Sequence, residues 1–189
     1  MIKKGKIKWI PFLCALFLYS HFSFSQLNLL SDEFDSSPIN SSWILYKDQL
    51  FTTPVPINNG FMEIQVDDAL CNPTCVWWKE SSAGFIYKSI TGNFDVITAV
   101  QTKQKTNTAL DINNDTQLAG LMARDPASTT SGNENYVFNV TGIRFDTPSI
   151  ELKSTANNNS TISAYTDNMT TGTNAELRIV RENTMFKMY

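Results

Sequence analysis

The sequence predicts an all-β domain built as an antiparallel β-sandwich, on three observations. Apolar residues recur at every second position in several short runs. No run keeps a helical period over a useful length. Loops rich in Asn, Gly and Thr separate the runs. Short alternating strands punctuated in this way are the pattern of two packed antiparallel sheets.

The first element lies ahead of the domain. MIKKGKIK carries four lysines, WIPFLCALFLYSHF is apolar, and SFSQ offers Ser23 and Ser25 as small residues before a cut at Gln26. That is the order of a secretory signal over residues 1–25. Pro11 interrupts the apolar run, which is shorter than the roughly 20 residues of a spanning helix, so no membrane span is expected. Cys14 follows Leu13, where a lipoprotein cut wants a small residue. The expected location is secreted or at the cell surface.

Cleavage after residue 25 of 189 would leave 164 residues, the length of one domain, 26–189. Four lysines leave with the signal, so the formal charge moves from −3 to −7. An acidic chain without a basic run is a poor partner for nucleic acid. The only histidine, His21, leaves too. Without imidazole the mature chain has no Ser-His-Asp or Cys-His site and no His-ligated zinc. Cys71 and Cys75 remain, in CNPTC. In an oxidising compartment they are expected to close a tight disulfide loop that shapes the local surface.

The strands follow in order. FMEIQV alternates Met62, Ile64 and Val66 with Glu63 and Gln65. FDVITAVQ puts Phe94, Val96, Thr98 and Val100 on one face. QLAGLMARDP separates Leu118, Gly120, Met122 and Arg124 from Ala119, Leu121, Ala123 and Asp125. NYVFNV places Tyr136, Phe138 and Val140 opposite Val137 and Asn139. IELKS alternates Ile150 and Leu152 with Glu151 and Lys153, and AELRIVR sets Leu177 and Ile179 against Glu176 and Arg178. INNG at 57–60, ITGN at 90–93, STTSGNEN at 128–135, STANNNSTIS at 154–163 and NMTTGTN at 168–174 read as loops. TMFKMY ends the chain on an apolar alternation, which predicts a C-terminally incomplete domain.

Taken in order, LLSDEFDSSPINSSWIL, FMEIQV, WW, AGFIYKSITGNFDVITAVQ, QLAGLMARDP, NYVFNV and AELRIVRENTMFKMY resemble the concanavalin A-like lectin/glucanase superfamily. The likeness is closest to its DUF1349-type branch of secreted bacterial proteins and runs from about Leu30 to Tyr189. It implies a jelly-roll sandwich of two bent antiparallel sheets, whose concave face holds sugar in relatives. The E-x-D-x-x-E strand of family-16 glucanases would set two glutamates about 5 Å apart for a retaining mechanism. Here Glu63 is followed by Gln65, and Glu80, Glu134, Glu151 and Glu176 also lack the spacing.

The expected function is therefore a non-catalytic carbohydrate-binding module with a shallow concave groove and a polysaccharide or glycan as partner. A glycoside hydrolase of unfamiliar carboxylate arrangement and a structural or adhesive surface module are the alternatives. Candidate ligand residues are Trp77, Trp78, Arg124, Tyr136 and Asn139, with Tyr87 and Lys88 as further polar contacts. Adjacent tryptophans on a strand face opposite ways, so one indole can stand out as a platform for a sugar ring. Arg124 reads either as a strand-end cap beside Asp125 or as a groove guanidinium for sugar hydroxyls or a uronate carboxylate. Trp43 reads as a packing residue. No cofactor is expected. Asp32, Glu33 and Asp35 read as a solvated acidic turn or as ligands of a structural calcium. DINND starts like an EF-hand loop, but Thr116 replaces its glycine and Met122 its last glutamate.

Overall fold

The computed structural model describes residues 30–70, 77, 83–113, 116–128, 133–157, 159–167 and 173–189. The signal segment, Cys71, Cys75 and Trp78 lie outside the described residues. In chain order the strands are β1 (Ile44–Tyr46), β2 (Ile57–Asn58), β3 (Phe61–Met62), β4 (Phe85–Tyr87), β5 (Phe94–Gln101), β6 (Lys103–Gln104) and β7 (Asn107–Asp111). They continue as β8 (Gln117–Arg124), β9 (Tyr136–Arg144), β10 (Thr147–Ala156), β11 (Asn159–Asp167), β12 (Asn174–Glu182) and β13 (Met185–Met188). Among the described residues, helix is confined to Leu30 and the 3₁₀ turns Asp48–Leu50 and Asp68–Leu70. No helix among them is long and apolar enough to cross a membrane.

The chain divides into two compact units. Of the described residues, the smaller holds 30–44 and Thr53–Ile64, and the larger holds Leu45–Thr52 and those from Gln65 onward. In the smaller unit Asn59 and Gly60 both take positive φ, the two-residue turn that an Asn-Gly pair favours, and it joins β2 to β3. Only Phe61 and Met62 of FMEIQV form a strand here. Val66, in the larger unit, makes an isolated bridge to Phe51.

The larger unit holds a four-stranded meander, β11-β10-β9-β8, and a three-stranded sheet, β13-β12-β5, all antiparallel. Phe145 and Asp146 turn β9 into β10 with positive φ at both positions. β12 lies between β13 and β5, so the chain leaves β5, builds the meander, and returns. The two sheets face each other. Asn139 Nδ2 donates to the Tyr189 carbonyl at 2.6 Å and Thr141 Oγ1 to the Thr173 carbonyl at 3.3 Å. Leu177 and Ile179 of β12 and Ile143 of β9 are buried, which is where the alternation of AELRIVR leads.

Two loop readings are corrected. Of INNG, Ile57 and Asn58 form β2, and only Asn59-Gly60 is turn. STANNNSTIS was expected to be loop throughout, but β10 runs to Ala156 and β11 starts at Asn159. Asn157, with φ 48°, supplies the left-handed turn residue. Thr, Ser and Ile suit a strand once a neighbouring edge offers hydrogen bonds, and β10 offers one.

Candidate functional site

The face of the meander turned away from the three-stranded sheet carries the charged and aromatic side chains. Register decides this. Tyr136 and Phe138 of β9 lie opposite Thr155 and Lys153 of β10, and Val140 lies opposite Glu151. On the other flank Tyr136 lies opposite Arg124 and Phe138 opposite Met122. Along β10 the polar positions Ser149, Glu151, Lys153 and Thr155 are all buried, whereas Ile150 and Leu152 between them are only half-buried. The sheet therefore shields its polar row more deeply than its apolar one. Each polar member of the row has a bond. Ser149 Oγ donates to the Thr147 carbonyl at 2.9 Å, Glu151 pairs with Arg144 Nε at 3.1 Å, and Thr155 Oγ1 meets Ser160 Oγ at 2.9 Å. Lys153 Nζ donates to the Trp77 carbonyl.

Lys153 also sits where the β10–β11 register shifts, between Leu152 and Lys153. A bulge adds local twist and re-aims a side chain. Its ammonium lies 4.4 Å from the Phe138 ring centre and 5.4 Å from that of Tyr136. Burial pulls its pKa from 10.5 down to about 8, against an upward pull from Glu151. Burial likewise pushes the Tyr136 phenol above 10.0.

Arg124 ends β8. Its Nη2 donates to Glu134 Oε2 at 2.9 Å and to the Ser128 carbonyl at 2.7 Å. Both members of the ion pair are shielded, with side-chain exposures of 8% and 0%. The guanidinium lies 5.3 Å from the Tyr46 ring and 5.4 Å from the Trp77 ring, within cation–π reach of both. Its Nε is buried and has no hydrogen-bond partner among the described residues. Asp125 is not its partner. Asp125 Oδ1 accepts from Ala127 N at 2.9 Å, and the Asp125 carbonyl accepts from Ser128 N at 3.1 Å. That is a local turn of the kind Asp favours.

Trp77 is the hub of an aromatic cluster. It lies 6.4 Å from Tyr46, 5.7 Å from Phe85 and 5.7 Å from Tyr136, edge-on to the last two. Its carbonyl accepts from Tyr136 Oη at 3.0 Å as well as from Lys153, and its indole nitrogen donates to the Gly84 carbonyl at 3.3 Å. The indole is thus fixed in place and half-buried rather than free-standing. Tyr87 stacks on Phe85 at 5.5 Å.

The sequence candidates divide accordingly. Trp77, Arg124 and Tyr136 come together. Asn139 does not join them, because alternation along β9 sends it to the opposite face. There it is fully buried between the sheets and bonded to Tyr189. At Gly120 a Cβ would meet the Asn139 carbonyl oxygen at 2.2 Å and Leu177 Cδ1 at 2.9 Å, so protein already fills that space and the missing side chain leaves no room for a ligand. Glu134, Arg144, Glu151, Lys153 and Tyr46 were not among the sequence candidates. For Glu151 and Lys153 the polar half of the IELKS alternation was the signal, but alternation alone reads equally as a solvated face.

In the smaller unit, Trp43 Nε1 donates to Asp32 Oδ2 at 2.7 Å, and Asp32 Oδ1 accepts from Phe34 N at 3.1 Å. Asp32 thus holds Trp43 with one oxygen and its own local turn with the other, and the Trp43 ring lies 5.9 Å from Phe34. Among the described residues no group of three or more His, Cys, Asp or Glu side chains could hold a metal ion. No family model, curated protein or solved structure matches the chain.

Proposed function

We propose that this chain is an exported, non-catalytic carbohydrate-binding module that takes glycan on the polar face of the β8–β11 meander. One observation carries the reading. A sheet face that bore no ligand would be expected to become either an apolar core or an open charged surface. This face is neither, since it is buried, hydrogen-bonded and polar along Ser149, Glu151, Lys153 and Thr155, with aromatic rings at one end. Polyhydroxylated ligands ask for that mixture of fixed donors, acceptors and ring faces.

Glu134 and Glu151 each spend an oxygen on an arginine, which supports binding over acid–base chemistry. The meander packed on a second antiparallel sheet is compatible with a concanavalin A-like jelly roll, and the N-terminal pattern supports export. Cys71 and Cys75 remain the proposed disulfide.

Glycan-array screening followed by calorimetry tests the reading. The expected dissociation constant is on the order of 0.1 to 1 mM, about −4 to −5.5 kcal/mol, because a shallow site removes little surface from water. Lys153→Met should abolish the signal if the face is the site. A second reading, a structural surface module without a ligand, is favoured by the deep burial of Tyr136 and Lys153. A complete absence of glycan binding would establish it over the first.

A further inference from the structure

We propose that the glycan taken by this face is neutral, recognised through its hydroxyls, and not a uronate or sulfated sugar. The inference rests on the carbohydrate-binding reading above and narrows it. A guanidinium in a groove suits either a hydroxyl or a carboxylate, and the sequence leaves both open. The decision comes from what each arginine on this face already holds.

Arg124 is engaged by Glu134 at 2.9 Å and Arg144 by Glu151 at 3.1 Å. All four side chains are largely buried, with the most accessible, Arg144, at 18%. Buried pairs are not readily exchanged, because taking one partner away strands the other charge in a poorly solvated place. An incoming carboxylate or sulfate would have to share a guanidinium with a resident glutamate, placing two anions side by side. A hydroxyl carries no such penalty. It can accept from a guanidinium N–H and donate to a carboxylate oxygen, so at Arg144–Glu151, which holds the most accessible of the four side chains, a sugar hydroxyl adds to the pair without displacing it. The neighbouring Tyr46 and Trp77 rings, both within cation–π reach of Arg124, add aromatic surface, which favours the C–H faces of an uncharged pyranose. The chain as a whole is also acidic, with a formal charge of −3, which repels polyanions at long range.

The test uses matched pairs of gluco-, manno- and galacto-configured hexasaccharides, each as the neutral sugar and as its C6-oxidised uronate. Binding to the full-length protein is measured by calorimetry at pH 7. The neutral member of a bound pair should be favoured by about tenfold or more, the size that one uncompensated like-charge contact supplies. Glu151→Gln and Glu134→Gln, checked for folding by circular dichroism, should shrink or reverse that preference by freeing an arginine. Tighter binding of a uronate by the unmodified protein would overturn the neutral-sugar inference and leave the carbohydrate reading standing. A neutral preference that neither folded variant changes would also overturn it, since the ion pairs would then not be its cause. Binding of no member of any pair would remove the carbohydrate reading, and this inference with it.

Discussion

The fully buried lysine offers the most direct measurement. Lys153 is held at a pKa of about 8, against 10.5 when exposed, chiefly because burial disfavours its charged form. Between those two values the unfolded chain binds a proton that the folded chain has released. Stability therefore rises with pH across the window from 8 to 10.5. The contribution is most unfavourable below pH 8, where both states are protonated and the folded state carries the buried charge. The full shift corresponds to about 3.4 kcal/mol at 1.36 kcal/mol per unit. Integrated from pH 7 to pH 9.5, the gain is about 2 kcal/mol. The phenol of Tyr136 works in the opposite sense only above its ordinary 10.0, because its folded pKa is raised. The range from pH 8 to 9.5 thus isolates the lysine. Urea denaturation at half-unit steps should show the unfolding free energy climbing through this range at a nearly constant denaturant slope. Lys153→Met should flatten the climb while leaving the Trp77 carbonyl its bond from Tyr136. A flat or falling profile in the unmodified protein would refute the reasoning, as would an undiminished climb in the variant.

Further outcomes follow from other contacts. Gly120→Ala should destabilise by roughly 2–4 kcal/mol in urea melts, since its methyl would collide with β9 backbone, and overpacking against backbone is costly. Gly84→Ala meets only the Phe51 ring tip, which can rotate, and should cost less. Arg124→Met should cost about 3–5 kcal/mol by stranding buried Glu134. Adding Glu134→Gln should recover part of that loss, and a double-mutant cycle with no coupling would show the pair to be unimportant. Asp95→Asn, which breaks the solvent-facing bidentate pair with Arg178 at 2.8 and 2.6 Å, should lower the urea midpoint only slightly. The Asp95 carboxyl, held below the usual range by its bond from Arg178, should still titrate low by NMR in the unmodified protein.

The strand pattern is legible in the sequence alone, because a period of two survives without knowledge of partners. FDVITAVQ is a strand from end to end, and QLAGLMAR ends as a strand at Arg124. Leu177 and Ile179 fall on a buried face as their spacing requires. The NG turn at Asn59 and Gly60 was legible for a different reason, since few residues accept positive φ. Absence of histidine from the proposed mature chain and absence of E-x-D-x-x-E also needed no fold, because a missing residue type stays missing in any conformation.

Partners were not legible. Alternation says that Tyr136 and Asn139 point to opposite faces, but not which face meets the second sheet. Packing of β12 and β13 decided that, and it removed Asn139 from the candidate site. The pair Arg124-Asp125 suggested a local contact by adjacency. Strand geometry sends neighbouring side chains apart, so Arg124 found Glu134 across a loop while Asp125 capped that loop's turn. Alternation with Leu152 puts Lys153 on the other face of its strand but does not say what that face meets. Only the register of β9 against β10 and the approach of Trp77 turned it into a buried ammonium among rings. Periodicity is a property of one strand and can be read from the chain alone. Burial, charge pairing and a displaced pKa belong to residues far apart in sequence, and they exist only once the sheets have met.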